Sequence, residues 1–373
     1  MTSFPPRECG IATFARNLVE SLEEVDHSLV CEVVAINGGR HNYGKRVKFE
    51  IEQERLESFL RAVDYVKKEN VDLINVQHQF LLYGEEGEFT IPFLRKLKEC
   101  VRGSLVTTIH TLPSSPSLGE EGAIKGIGAI SDKLIVMINY AKDLLRKVYG
   151  IEGEKIEVIP HPIPLMPQTP VEEAKSTLGL VDKVILCSFG LLRRDKGLEY
   201  VIEALPEIIR KNPNVLYLII GKTHPHHKRR EGETYREGLA LKARRLRVEK
   251  HIRFIDKFLS LKELSMYLAA TDVYLAPYVG EQQVSSGSLI YALSLGKVCL
   301  STPYPYAKEV LGGGRGLFIE FKSASSIVDT VNKVLEEDKL RRDIQHRAYE
   351  YGQALTWPRI ARKYLELFKS LIL

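Results

Sequence analysis

The sequence predicts an α/β protein built from two doubly wound, Rossmann-like parallel sheets in tandem, with a deep cleft between the two domains. Three observations carry that prediction. Short apolar runs of strand length alternate with helix-periodic segments in both halves of the chain. A break at His161-Pro162-Ile163-Pro164-Leu165-Met166-Pro167 interrupts the alternation, and its three prolines exclude regular structure there. The length of 373 residues exceeds what one core holds comfortably and suits two domains of ordinary size. Residues 1–165 are assigned to the first domain and 166–357 to the second, with a closing helix over 358–373 that packs back on the first.

In chain order, Phe4-Pro5-Pro6-Arg7-Glu8-Cys9-Gly10 is a turn-rich loop feeding a helix with Phe14, Leu18, Val19 and Leu22 on one side. Strands are expected at Leu29–Ile36, Val71–Val76, Leu105–Ile109, Leu134–Met137 and Ile156–Ile159. Helices fill the gaps, and Leu56, Phe59, Leu60, Val63 and Val66 form one apolar face. Before Cys9-Gly10 only Thr2, Ser3 and Phe4 precede two prolines, so most of the first strand of the first sheet is expected to be missing. Either about six to ten mostly apolar residues belong upstream, or a strand position is left partly empty.

The second half repeats the pattern with Val184–Phe189, a helix over Leu198–Ile209, Val215–Ile220, a helix near Leu239–Leu246, and Ile252–Ile255. Val273–Ala276 and Val298–Leu300 then flank a helix whose apolar positions are Leu289, Ile290, Ala292 and Leu293. Ser285-Ser286-Gly287-Ser288 opens that helix and Gly296 stops it as a left-handed cap. Such a start gathers unpaired backbone N–H groups and the positive end of the helix dipole, which together suit an anion. The final segment, Ile360–Ile372, is amphipathic and follows Trp357-Pro358.

Composition narrows the function classes. Hydrophobic content of 44% and charged content of 27% are those of a globular protein, and no apolar run approaches the ~18 residues of a membrane span. Met1-Thr2-Ser3-Phe4-Pro5-Pro6 has no charged region followed by an apolar one, so a cytoplasmic location is expected. Cys9, Cys31, Cys100, Cys187 and Cys299 show no paired spacing and read as reduced core residues. A formal charge of +5 with no basic block interleaved with aromatics argues against nucleic acid, and association with a membrane surface stays open although nothing in the sequence indicates it. His224, His226 and His227 offer only one His-x-His spacing without a carboxylate or cysteine set, so no metal is expected.

The chemistry-bearing residues fall after strands. Gly10, His78, His110 and His161 do so in the first half, and Arg193, Arg194, Lys196 and His224 in the second. In this order the chain resembles the family 4 glycosyltransferases, retaining enzymes of the GT-B fold that use nucleotide-sugar donors. The resemblance covers nearly the whole chain. Cys9-Gly10-Ile11-Ala12-Thr13 is similar to the glycine loop near donor and acceptor, Thr108-Ile109-His110 to the segment at the donor sugar, and Val158-Ile159-Pro160-His161 to the hinge motif. Phe189-Gly190-Leu191-Leu192-Arg193-Arg194-Asp195-Lys196-Gly197 resembles the segment whose lysine holds the donor diphosphate, and Glu309 falls where a glutamate meets the donor ribose.

The resemblance implies transfer of a hexose from a nucleotide sugar such as GDP-mannose or UDP-glucose to a carbohydrate or related hydroxyl acceptor, with retention and without a separate cofactor. It implies catalytic roles for His110 and for Gln283 or Glu281. Donor contacts fall to Gly10, Arg193, Arg194, Lys196, Ser285, Ser286, Gly287, Ser288 and Glu309, and sugar or acceptor contacts to His78, His161 and His224. The chain departs from the family pattern where two glutamates usually stand eight residues apart: Gln283 and Tyr291 occupy those places, with Glu281 two residues from the first. Leu191 stands where an arginine is usual, with Arg193 and Arg194 as replacements. Ser286-Gly287-Ser288-Leu289-Ile290-Tyr291-Ala292 and Thr223-His224-Pro225-His226 match a subgroup that lacks the second glutamate. Two other readings stay open: a sugar-nucleotide epimerase recruiting Glu281 and His110 as an acid/base pair, and a non-catalytic sugar-nucleotide binder.

Overall fold

In a computed structural model, residues 1–39, 41–84 and 87–372 are described. The chain divides into two compact units, Met1–Pro162 with Gln282–Ser285 and Leu355–Leu373, and Ile163–Glu281 with Ser286–Ala354.

The first unit contains two parallel sheets. One pairs β1 (Val33–Asn37) with β2 (Val47–Glu52), and the other runs β3 (Leu73–His78), β4 (Ser104–Ile109), β5 (Lys133–Val136) and β6 (Ile156–Val158) in chain order. Residues 1–3 stand between the sheets. Thr2 bridges Ala35 of β1, while Met1 accepts from Gln77 N at 3.0 Å and donates its amino group to Asn75 O at 2.8 Å. The strand position between β1 and β3 is held by one bridge in place of a ladder, and burial pushes the Met1 amino group down to about 5. Helices α1 (Gly10–Val25), α2 (Leu56–Glu69), α3 (Thr90–Cys100), α4 (Leu118–Ile130) and α5 (Asn139–Lys147) complete the alternation.

Two strand expectations need correction. β1 begins at Val33 rather than Leu29, because Glu23 of α1 accepts from Cys31 N and pairs with Arg46, which ties residues 29–32 into a lead-in with Val30 exposed. β2 was not anticipated. Its sequence alternates apolar Val47, Phe49 and Ile51 with exposed Lys48, Glu50 and Glu52, the pattern of an edge strand with one wet face, and a search for continuous apolar runs passes over it.

The second unit is one six-stranded parallel sheet. Its strands are β7 (Val184–Phe189), β8 (Val215–Ile220), β9 (Ile252–Ile255), β10 (Val273–Ala276), β11 (Val298–Ser301) and β12 (Leu317–Phe318), in the spatial order β12-β11-β10-β7-β8-β9. The chain builds outward from β7 to β9, then returns to lay β10 on the other side of β7 and builds the opposite way. A doubly wound sheet opens a crevice at that reversal, outside the carboxyl ends of its strands. Helices α6 (Val171–Thr177), α7 (Leu198–Lys211), α8 (Pro225–Glu231), α9 (Thr234–Arg245), α10 (Leu261–Ala269), α11 (Gly287–Ser294), α12 (Pro305–Leu311), α13 (Ala324–Glu336) and α14 (Asp338–Gln353) supply the connections. Helices on its faces bury all six residues of β8, and Leu186, Val201, Ile202, Leu205, Tyr217 and Ile219 anchor the core.

The closing helix α15 (Trp357–Ile372) belongs to the first unit and packs along α1. It buries Trp357, Ile360, Ala361, Tyr364 and Phe368, and Lys369 pairs with Asp26 at 2.7 Å. All five cysteines are free thiols, but only Cys187 and Cys299, on β7 and β11, are core residues; Cys9, Cys31 and Cys100 lie outside the strands and are half-buried.

Candidate functional site

At the end of β7 the backbone turns through Gly190, whose φ of +122° only glycine adopts readily. A short 3-10 turn, Arg194–Lys196, then leads through Gly197 into α7. This path folds Lys196 back over its own strand end. A Cβ on Gly190 would lie 2.9 Å from Lys196 Nζ, and one on Gly197 would lie 2.1 Å from Pro277 O, so both glycines make room for the arrangement. Lys196 is 8% exposed. Its Nζ donates to Tyr278 Oη at 2.6 Å and to Phe189 O at 3.3 Å.

Tyr278 comes from the loop after β10 and is fixed from three sides. Thr302 Oγ1 donates to its carbonyl at 2.7 Å, Tyr304 packs edge-on to its ring at 5.3 Å, and Ser288 Oγ lies 3.4 Å from its hydroxyl. Ser288 stands in the first turn of α11, where buried Ser286 is the N-cap and accepts from Leu289 N at 3.3 Å. Lysine, tyrosine and two serines from three separate segments thus meet at the carboxyl ends of β7 and β10, where the strand order reverses.

The charges there act together. Burial alone would raise the Tyr278 phenol, but the charges of Lys196 and Arg193 and the hydrogen bonds of Lys196 and Ser288 outweigh it and hold the group below its ordinary value. A cation, a hydroxyl pair and free N–H groups at a helix start form a preorganised seat for negative charge, in surroundings dry enough to strengthen each contact.

The structure separates the two arginines that the sequence left equivalent. Arg193 pairs with Asp195 at 2.8 Å and lends its field to Tyr278, whereas Arg194 is mostly exposed and reaches outward to Glu231 at 3.3 Å. Both line a small pocket with Thr223 and His227. His224 caps α8, its Nδ1 accepting from His226 N at 3.3 Å, and its ring stands 5.5 Å from that of His227. Gly287 is the first residue of α11, and Glu309 is half-buried in α12, beyond β11.

In the first unit, His110 directly follows β4 with its ring buried. Nε2 shares a 2.7 Å hydrogen bond with Gln77 Oε1, and Phe14 of α1 packs edge-on to the ring at 5.1 Å. Burial, aided by His161 and His78, pushes it down to about 3, so the imidazole is neutral at pH 7. His161 shares Phe14 from another side at 5.5 Å; burial lowers it to about 4 although its Nδ1 holds Pro162 O at 2.8 Å. Gly10 is the first residue of α1, behind the Cys9 cap, and no atom lies within 4 Å of where its Cβ would stand. Packing therefore does not demand glycine there. Ser285 Oγ donates to His110 O at 2.9 Å, and Gln282 Oε1 accepts from Ser114 N at 3.2 Å. Gln283 is half-buried in that segment, and Glu281 just before it is exposed.

His78 requires correction. Expected as a sugar contact beyond its strand, it is instead the last residue of β3 and has no exposure. It stacks on Tyr83 at 5.3 Å, meets Thr90 Oγ1 at 3.2 Å through Nε2, and is pushed down to about 3 by burial. Tyr278, conversely, went unnoticed in the sequence. Its signal was position alone: two residues beyond an apolar strand and directly after Pro277.

Comparisons with known proteins bear on the fold and the family. Residues 171–351 match the family model of glycosyl transferases group 1. An uncharacterized glycosyltransferase of Methanocaldococcus jannaschii is 25% identical over 62% of this chain, which spans 54% of that relative's length. D-inositol 3-phosphate glycosyltransferase of Corynebacterium efficiens is 24% identical over 83% of this chain and 74% of its own. Among solved structures, sucrose-phosphate synthase from Thermosynechococcus elongatus superposes with a TM-score of 0.73 at 19% identity, over 96% of this chain and 93% of that one. Anabaena HepE in complex with UDP-glucose gives 0.72 at 18%, over 87% and 86%. The chain thus has the GT-B fold, and its residues 171–351 are a match to the glycosyl transferases group 1.

Proposed function

We propose that this protein transfers a hexose from a nucleotide sugar to a carbohydrate or related hydroxyl acceptor with retention of configuration, the first domain on the acceptor side and the second holding the donor. The observation that carries the reading is the meeting of Lys196, Tyr278, Ser286 and Ser288 at the strand-order reversal of the second unit. Departure of a nucleoside diphosphate leaves negative charge on phosphate oxygens, and this cluster supplies the cation and helix start that charge requires. Relatives whose names state glycosyl transfer, and a structural neighbour holding UDP-glucose, support the donor class. Thermal-shift screening of nucleotide sugars, followed by a transfer assay with the anomer of the product read by NMR, tests the proposal. Binding without turnover toward any hydroxyl acceptor would favour the non-catalytic reading, which the carboxylate-free Gln283 and Tyr291 motivate.

Two expected results arise here. Transfer should persist in excess EDTA, because protein cations and a helix start answer the diphosphate charge. Activity lost to EDTA and restored by Mg²⁺ or Mn²⁺ would refute this. In the loop before α11, Gln283→Ala should lower turnover if Gln283 takes the place of the family glutamate; if Glu281 takes it, Glu281→Gln should lower turnover more. Donor binding and turnover unchanged in both variants would remove the loop from the site.

A further inference from the structure

The formal charge of the chain is +5, and residues 236–253 hold seven Lys and Arg against two Glu, a net of +5 within that one stretch. The fold gathers part of it into a tip. α9 runs back from the carboxyl edge of the sheet toward the starts of β8 and β9, so its last turn lies at the edge opposite the Lys196 cluster. α7 packs beside it and ends at the same edge. Arg210, Arg244, Arg245, Arg247 and Lys250 are exposed there, and none is in an ion pair among the described residues. Nearby Glu203 and Glu336 are neutralised by Lys242 and Lys211, which leaves Glu207, Glu249 and Glu337 as the opposing charges. Leu241 and Leu246 stand among these cations at 46% and 38% exposure.

Arg247 closes the tip. It occupies the left-handed position that ends α9, at φ +58°, where glycine is the usual residue and a side chain costs about 1–2 kcal/mol. Its N–H reaches Arg244 O at 3.0 Å, and Val248 beside it is buried in the core, so the turn is held despite the strain.

We propose that this tip docks on an anionic lipid bilayer. Five unpaired cations match a negative surface, the two leucines between them can enter the headgroup boundary, and no aromatic stands exposed in the tip to stack on nucleic-acid bases. Docking at this edge leaves the opposite edge, with its candidate anion seat, open. The proposal does not depend on the function proposed above.

The test is co-sedimentation of the whole chain with vesicles of phosphatidylcholine alone and of phosphatidylcholine with phosphatidylglycerol. Binding is expected only to the anionic vesicles and should fall as salt rises. R244Q/R245Q/R247Q should bind about 100-fold more weakly, at roughly fivefold per arginine. R247G alone should weaken binding about fivefold while raising the melting temperature, so that lost binding is not mistaken for unfolding. Equal binding by parent and triple variant, equal binding to both vesicle types, or capture by soluble RNA or an acidic protein without vesicle binding would each overturn the proposal.

Discussion

Lys196→Ala is expected to lower turnover by about 100-fold or more, the scale for removing one group that stabilises charge developing in a transition state. The motive is geometric. Lys196 Nζ is buried 2.6 Å from Tyr278 Oη and 3.3 Å from Phe189 O, at the reversal of strand order where a ligand's charge would be received. Folding should survive, because the substitution removes a buried cation and leaves behind a carbonyl and a hydroxyl that water or Ser288 can satisfy. The fold change should be read in turnover, with circular dichroism and melting temperature as controls. Turnover within a factor of a few of the parent would take Lys196 out of the site.

Gly190→Ala should damage stability and activity together. At φ +122° a β-carbon costs about 1–3 kcal/mol of strain, and it would stand 2.9 Å from Lys196 Nζ. The lysine tip is the flexible partner in that clash, so it moves away from Tyr278. The melting temperature should drop by several degrees, and turnover should fall toward that of Lys196→Ala. Adding Lys196→Ala to Gly190→Ala should then change turnover little, since both act through one group. Full activity with an unchanged melting temperature would show that the turn after β7 does not position the lysine.

The sequence by itself determined the class of fold and most of its elements. Parallel strands buried on both faces, such as Val215–Ile220 and most of Val184–Phe189, must be largely apolar, and helices laid on a sheet must repeat at 3.6 residues, so both leave patterns that one chain displays. Glycine at 296 and serine at 286 were legible for the same reason: backbone geometry dictates residue type. Only the tertiary structure decided which polar residues share a place. His78 and His110 stand at the ends of neighbouring strands, the first as the last residue of β3 and the second directly after β4, yet one ring is locked in the core by Tyr83 and Thr90 and the other is held by Gln77. Arg193 and Arg194 are adjacent in the chain and face different partners. Tyr278 lies 82 residues from Lys196 and meets it only because β10 returns to the side of β7. Side-chain direction and long-range pairing follow from packing across the whole sheet, and local sequence carries no period or propensity that records them.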